Sequence, residues 1–187
     1  MVVVYDLEFT AWDGSMAERW LAPGQFREVV QIGAVKLDAA TLEERAAFEV
    51  LVKPRLNPVL SEYFERLTGI ANAEVARRGV DFLEAYQRFL AFADGAPTCA
   101  FGRDDLIFAE NFELYGLRSP PRAPPYANIA PWLRANGLRP RHAGDVAEEA
   151  GAPLSGQKHD ALFDARSVAQ GVRILVGRGA NNPFADS

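Results

Sequence analysis

Acidic side chains are the residues of this sequence whose types and spacing could do chemistry. The first pair stands near the start, where Val2-Val3-Val4-Tyr5-Asp6-Leu7-Glu8 is an apolar run whose far end carries two carboxylates one residue apart. Side chains alternate faces along a strand, so Asp6 and Glu8 point the same way, with Cα atoms about 7 Å apart. Two acids on one face offer oxygen ligands to a hard divalent cation such as Mg²⁺ or Mn²⁺, provided other parts of the chain bring more carboxylates. Alone, the pair is better read as ending a strand in solvent. Asp104-Asp105 is a second candidate, directly after the short apolar stretch Thr98 to Phe101, at the kind of strand-to-helix junction where α/β folds collect ligands. One of these two aspartates can reach a metal while the other caps the helix. The third candidate is His159-Asp160-Ala161-Leu162-Phe163-Asp164, a histidine at the end of a glycine-containing loop followed by an acid about one turn into a helix, with Asp160 as a natural cap.

The elements that must position these groups follow from periodicity. The opening strand leads into a stretch, Phe9 to Arg27, without steady periodicity, which reads as a long loop and hence as a functional candidate. Glu28 to Leu37 reads as a second strand and Phe48 to Val52 as a third, stopped by Pro54. The short links make these three an antiparallel meander, because a parallel crossover needs a dozen or more residues. Helical spacing then takes over. Ser61 caps a helix stopped by Gly69, Asn72 caps a short turn ending at Gly79, and Asp81 caps an apolar-striped helix closed by Asp94-Gly95. A helix from about Asp105 to Tyr115 follows the strand Thr98 to Phe101. Leu117 to Pro125 is an extended proline-rich connection, Tyr126 to Ile129 a fifth strand, Pro131 the start of a short helix, and Asp145 to Ala150 another. Ala161 to Val176 is the last helix, and Asn181-Asn182-Pro183 starts a frayed tail. A meander followed by strands alternating with helices predicts an α/β domain with a mixed sheet.

Bulk properties narrow the function classes. The 187 residues suit a single domain, with its core at about residues 2–176 and a tail over 177–187. Net charge is −5, so no global basic field holds this chain to long nucleic acid, and any such contact is local. The cluster Arg134, Arg139 and Arg141 beside His142 reads as solvated surface. A single cysteine, Cys99, excludes an internal disulfide framework and a cysteine-based zinc site, and reads as a core strand residue. No apolar run approaches the ~20 residues of a membrane span, and the opening residues lack a basic leader, so the expectation is a cytoplasmic protein with no membrane partner.

Taken together, Asp-x-Glu on a first strand, an aspartate after a later strand and His-x₄-Asp opening the last helix resemble the DEDDh (DnaQ-like) family of 3′→5′ exonucleases. The resemblance runs from about Val3 to Val176. It is supported by Gln31-Ile32-Gly33-Ala34-Val35, by Val52-Lys53-Pro54 and by Leu67-Thr68-Gly69-Ile70. Asp6-Leu7-Glu8-Phe9-Thr10 and Phe101-Gly102-Arg103-Asp104-Asp105 are most similar to the Eri-1-like and KapD-like RNA exonuclease branch. The resemblance implies an RNase H-like fold, a mixed sheet of about five strands flanked by helices, and one exonuclease domain over residues 1–187. It makes Asp6, Glu8, Asp105 and Asp164 the acids for two Mg²⁺ ions, with Mn²⁺ as a substitute, and His159 the general base. Asp105 is chosen over Asp104 because Asp105-Leu106 matches the family's acid followed by an apolar residue. The implied substrate is the 3′ end of single-stranded nucleic acid, RNA ahead of DNA, contacted by Phe9, Thr10, Trp12, Leu67 and Phe163. A DNA exonuclease or an oligoribonuclease would use the same site. An inactive nucleic-acid-binding module is the rival from another class, and it leaves the filling of all five catalytic positions unexplained.

Overall fold

The computed structural model describes residues 1–118 and 123–185. Five strands make one sheet: β1 (Val2–Phe9), β2 (Val29–Leu37), β3 (Glu44–Leu51), β4 (Thr98–Ala100) and β5 (Tyr126–Asn128), in the order β3-β2-β1-β4-β5. The first three form the expected antiparallel meander, and β4 joins β1, then β5 joins β4, in parallel. Helices are α1 (Ser15–Glu18), α2 (Glu62–Thr68), α3 (Asn72–Arg78), α4 (Phe82–Ala93), α5 (Asp104–Leu114), α6 (Ala130–Ala135), α7 (Val146–Glu149) and α8 (Ala161–Gly177), with a 3-10 turn at Ala143–Asp145. This is the mixed, helix-flanked sheet of the RNase H-like class.

The period-2 alternation of β1 divides the core in two. Val2 and Val4, with Val35 and Leu37 of β2, pack against Val168 and Val172 of α8. Val3, Tyr5 and Leu7, with Ile32 and Ala34, face Phe82 and Phe89 of α4 and Phe108 of α5. A smaller cluster, including Val30, Leu51, Phe64 and Val75, packs α2 and α3 against one end of the sheet. Asp6 and Glu8 continue the Val2, Val4 alternation and so lie on the α8 side. Their β2 partners are Gly33 and Gln31.

Several expectations are corrected. β3 starts at Glu44 rather than Phe48, because its first half is an exposed edge paired only through its backbone to β2. The stretch after β1 holds the short α1, and it turns through left-handed backbone at Arg19 and Trp20 (φ 54° each). Asp81 precedes α4 without a capping hydrogen bond and meets the Arg55 guanidinium at 3.3 Å instead. Asn72 lies inside α3, and its amide holds both the N–H and the carbonyl of Leu60. The tail is not frayed through Ala185: Phe184 is buried in the α8 core, and the Asn182 amide donates to the Ala39 carbonyl at 2.8 Å. The proline-rich connection lies partly outside the described residues, which omit 119–122. Among the described residues, no helix is long and apolar enough to cross a membrane.

Candidate active site

At the end of β1 the sheet opens into a pocket of about 250 Å³. Asp6, Glu8, Asp104, His159 and Asp164 line it together with Phe9, Trp12, Trp20, Tyr63 and Leu67. Asp6 and Glu8 come from β1, Asp104 from the first turn of α5, and Asp164 from the first turn of α8, with His159 in the loop just before it. Glu8, His159 and Asp164 each offer a ligand atom within 4.8 Å of the other two. Asp104 Oδ2 is buried with no hydrogen-bond partner.

The electrostatics are those of like charges held close together at a partly buried site. Burial pushes Asp6 well above the usual carboxylate range, and the charges of Asp104, Glu8 and Asp164 add to it. Glu8 is raised in the same way, by burial and then by Asp164 and Asp104. Asp104 is pushed up to about 7 by burial, then by Asp105, against a hydrogen bond with the Leu7 backbone. Asp164 is also pushed up to about 7, chiefly by burial, while hydrogen bonds with the His159 and Gly144 backbone pull it down. Three buried acids, and a half-buried fourth with an orphaned buried oxygen, fit a divalent cation, which lets such a cluster stay ionised at neutral pH.

This electrostatic strain predicts how the metal-free protein responds to pH. A carboxyl whose folded pKa is raised binds its proton more tightly when folded, so its stabilising contribution is full below the unfolded pKa of 3.8 and is lost as pH rises toward about 7. Each such proton contributes a slope of about 1.4 kcal/mol per pH unit inside that window. In EDTA the melting temperature should fall between pH 5 and pH 7.5, and millimolar Mn²⁺ should raise it more at pH 7.5 than at pH 5. An equal rise at both pH values would show that these acids do not hold the ion.

Asp105 is the main correction. Successive residues on a helix point about 100° apart, so only one of the two aspartates at the start of α5 can face β1, and it is Asp104. Asp105 turns away and accepts two hydrogen bonds from Arg103, both at 2.8 Å. That guanidinium holds its carboxyl below the usual range.

The His159 loop is held from both sides. His159 sits in left-handed backbone (φ 64°), and its N–H donates to Asp164 Oδ1 at 3.3 Å. Its neighbour Lys158 donates to Asp145 at 2.6 Å and Glu148 at 2.7 Å. Asp160 caps α8 as expected, accepting from the Phe163 amide at 2.9 Å. A Cβ at Gly144 would stand 2.4 Å from Asp164 Oδ1, so any larger residue there would displace that carboxylate. The His142 ring lies 5.1 Å from the His159 ring, and burial, then His142, lowers the His159 pKa below its ordinary 6.5.

Of the expected substrate contacts, Phe9, Trp12 and Leu67 line the pocket. Thr10 does not. Its buried hydroxyl donates to the Phe26 carbonyl and accepts from the Glu28 amide, fixing the chain after β1. Phe163 lines a separate groove with Gly156 and Gln157. Sequence reasoning missed Trp20, Tyr63, Arg141 and His142 as lining residues. The signal for the last two was the arginine cluster beside a histidine, which reads as surface until the 3-10 turn brings it to the pocket.

A family model described as an exonuclease, RNase_T, matches residues 3–171. Mouse ERI1 exoribonuclease 2 is 27% identical over 90% of this chain, and the chain spans only 27% of that relative's length. The nuclease domain of 3′hExo, a DEDDh family member solved with bound rAMP, superposes with a TM-score of 0.78 at 23% identity, covering 95% of this chain and 92% of that one. Exonuclease I of E. coli in complex with a dA16 oligonucleotide gives 0.68 at 16% identity, covering 95% and 41%. These superpositions show a shared fold.

Proposed function

Because this chain belongs to the RNase_T exonuclease family, we propose that it shortens single-stranded nucleic acid from the 3′ end, RNA ahead of DNA, and releases nucleoside 5′-monophosphates. The observation that carries this reading is the convergence of Asp6, Glu8, Asp104 and Asp164 with His159 in one pocket that aromatic side chains also line. Divalent metal dependence is typical of the family. In our reading the four acids hold two ions, Mg²⁺ with Mn²⁺ as substitute. Bound there, the ions supply charge to stabilise an in-line displacement at the scissile phosphate.

The chain's own groups do the rest. His159, partly buried and held next to Asp164, takes the proton of the attacking water. Phe9, Trp12 and Trp20 give the terminal base flat apolar surface to stack on, an interaction that tolerates any base. Among the described residues, Arg141 is the one arginine on the pocket wall, and it offers positive charge to the phosphodiester backbone.

RNA is placed ahead of DNA because a similar protein is named an exoribonuclease and the 3′hExo nuclease domain was solved with rAMP. Exonuclease I, with its dA16 oligonucleotide, keeps the DNA reading open as the alternative. The chemistry is blind to the sugar unless a side chain reads the 2′-hydroxyl. A panel of 5′-labelled single-stranded RNA, single-stranded DNA and duplexes, with Mg²⁺, Mn²⁺ or EDTA, tests the proposal. We expect a ladder of products shortened from the 3′ end, faster on RNA and absent in EDTA. Full activity in EDTA, or shortening from the 5′ end, would overturn it.

A further inference from the structure

We infer that Gln31, which lies outside the pocket, is the positioning residue that sets α8 on the sheet at the level where Asp164 and His159 meet Glu8. The inference rests on the proposed metal site and adds a residue to its construction.

Gln31 and Glu8 are directly paired across β2 and β1, so their side chains leave the same face of the sheet at the same level. That face carries α8. The Gln31 side chain is buried and fully satisfied: Nε2 donates to Asp160 Oδ2 at 2.8 Å and to Glu49 Oε1 at 3.2 Å, and Oε1 accepts from the Ala161 amide at 2.9 Å. With two carboxylates on one side and a backbone N–H on the other, only one orientation of the amide satisfies every partner. Asp160 and Ala161 are the cap and the first residue of α8, and the Asp160 carbonyl accepts from the Asp164 amide at 2.8 Å, one turn on. A chain of three short links therefore runs from the strand position beside Glu8 to the backbone of Asp164.

The next same-face pair makes the approach close. Asp6 is paired with Gly33, and a Cβ at Gly33 would fall 2.1 Å from the Leu162 nitrogen and 2.2 Å from the Ala161 carbonyl carbon. The first turn of α8 thus lies on the bare backbone of β2, where apolar packing gives little resistance to sliding. The hydrogen bonds of Gln31 are directional and supply that resistance. The two β2 residues opposite the two β1 acids are thus the ones that meet the first turn of the helix carrying the last acid.

The test compares Gln31→Met, which keeps length and packing but loses every hydrogen bond, with Gln31→Glu, Asp160→Asn and the double variant Gln31→Glu with Asp160→Asn. The double variant restores the hydrogen bond between positions 31 and 160 with donor and acceptor exchanged, and gives up the donation to Glu49. Mn²⁺ affinity is read by calorimetry without substrate, kcat and KM on a labelled oligonucleotide, and folding by circular dichroism. Outer partners of metal ligands typically change affinity or activity about 10–100-fold, so Gln31→Met should weaken Mn²⁺ binding and lower kcat on that scale with little change in KM. The double variant should recover more than the product of its single losses in Mn²⁺ affinity and kcat while circular dichroism stays unchanged, because the two side chains are hydrogen-bonded partners. Wild-type Mn²⁺ affinity and kcat in Gln31→Met, or multiplicative losses in the exchanged pair, would overturn the inference. If Gln31→Met does not fold, the exchanged pair decides. A wild-type protein that binds Mn²⁺ but shortens no nucleic acid would sink the proposed function, and the calorimetric comparison would still decide the role of Gln31.

Discussion

Asp104→Asn is expected to bring exonuclease turnover to background, while Asp105→Asn leaves it near the wild-type rate. The two residues are neighbours in sequence and carry the same charge, so the contrast isolates where each carboxylate points. Asp104 lines the pocket with a buried, unpartnered oxygen, whereas Asp105 spends both oxygens on Arg103 at the surface. Losing that exposed pair costs about 0–1 kcal/mol of stability and touches no reacting group. Inactivity of Asp104→Asn could be mistaken for misfolding, and the electrostatics separate the two. The Asp104 carboxyl, pushed up to about 7 by burial and then by Asp105, opposes folding when ionised without a cation. The amide should therefore raise the melting temperature in EDTA at pH 7.5 and shrink the Mn²⁺-induced rise. An active Asp104→Asn with an inactive Asp105→Asn would reverse the assignment.

This pair also shows where sequence reading stops. Alternation along Val2 to Glu8 placed the first two acids on one face, and the caps and spacing of the last helix placed His159 and Asp164, because those signals are local. Which of two adjacent aspartates faces inward depends on the phase at which α5 starts, and one residue of error rotates the choice by about 100°. The edge half of β3 was invisible for a related reason: its residues face solvent and leave no apolar alternation, so only the backbone ladder to β2 defines it. Thr10 and Phe163 adjoin the motifs in sequence, yet one is turned into the loop and the other into a separate groove. Gln31 belongs to the family-like segment Gln31 to Val35, but its task was not legible there, since its partners Asp160 and Ala161 lie 129 and 130 residues away. The tail composition suggested fraying, but one aromatic, Phe184, finds the core of α8.

His159→Ala should leave a folded protein that has lost about 10²–10⁴-fold in single-turnover rate, the usual cost of removing a general base. The side chain is in reach of the reacting centre, since one of its ring nitrogens lies within 4.8 Å of carboxylate oxygens of Glu8 and Asp164. Its backbone N–H, rather than its ring, makes the recorded hydrogen bond to Asp164, so the alanine variant keeps that support. The left-handed backbone at His159 is already borne by a residue with a Cβ, and alanine introduces no larger group there. The pH profile gives the sign. Burial, and then His142, lower the imidazole pKa below 6.5, so the base stays unprotonated down to more acidic pH than a free histidine would. The wild-type rate should fall on the acid side with a midpoint below 6.5, and the alanine variant should lack that limb. Single-turnover conditions keep slow product release from masking the proton-transfer step. Near-normal single-turnover rates in the variant, with the acid limb unchanged, would show that His159 only shapes the loop and that another group takes the proton.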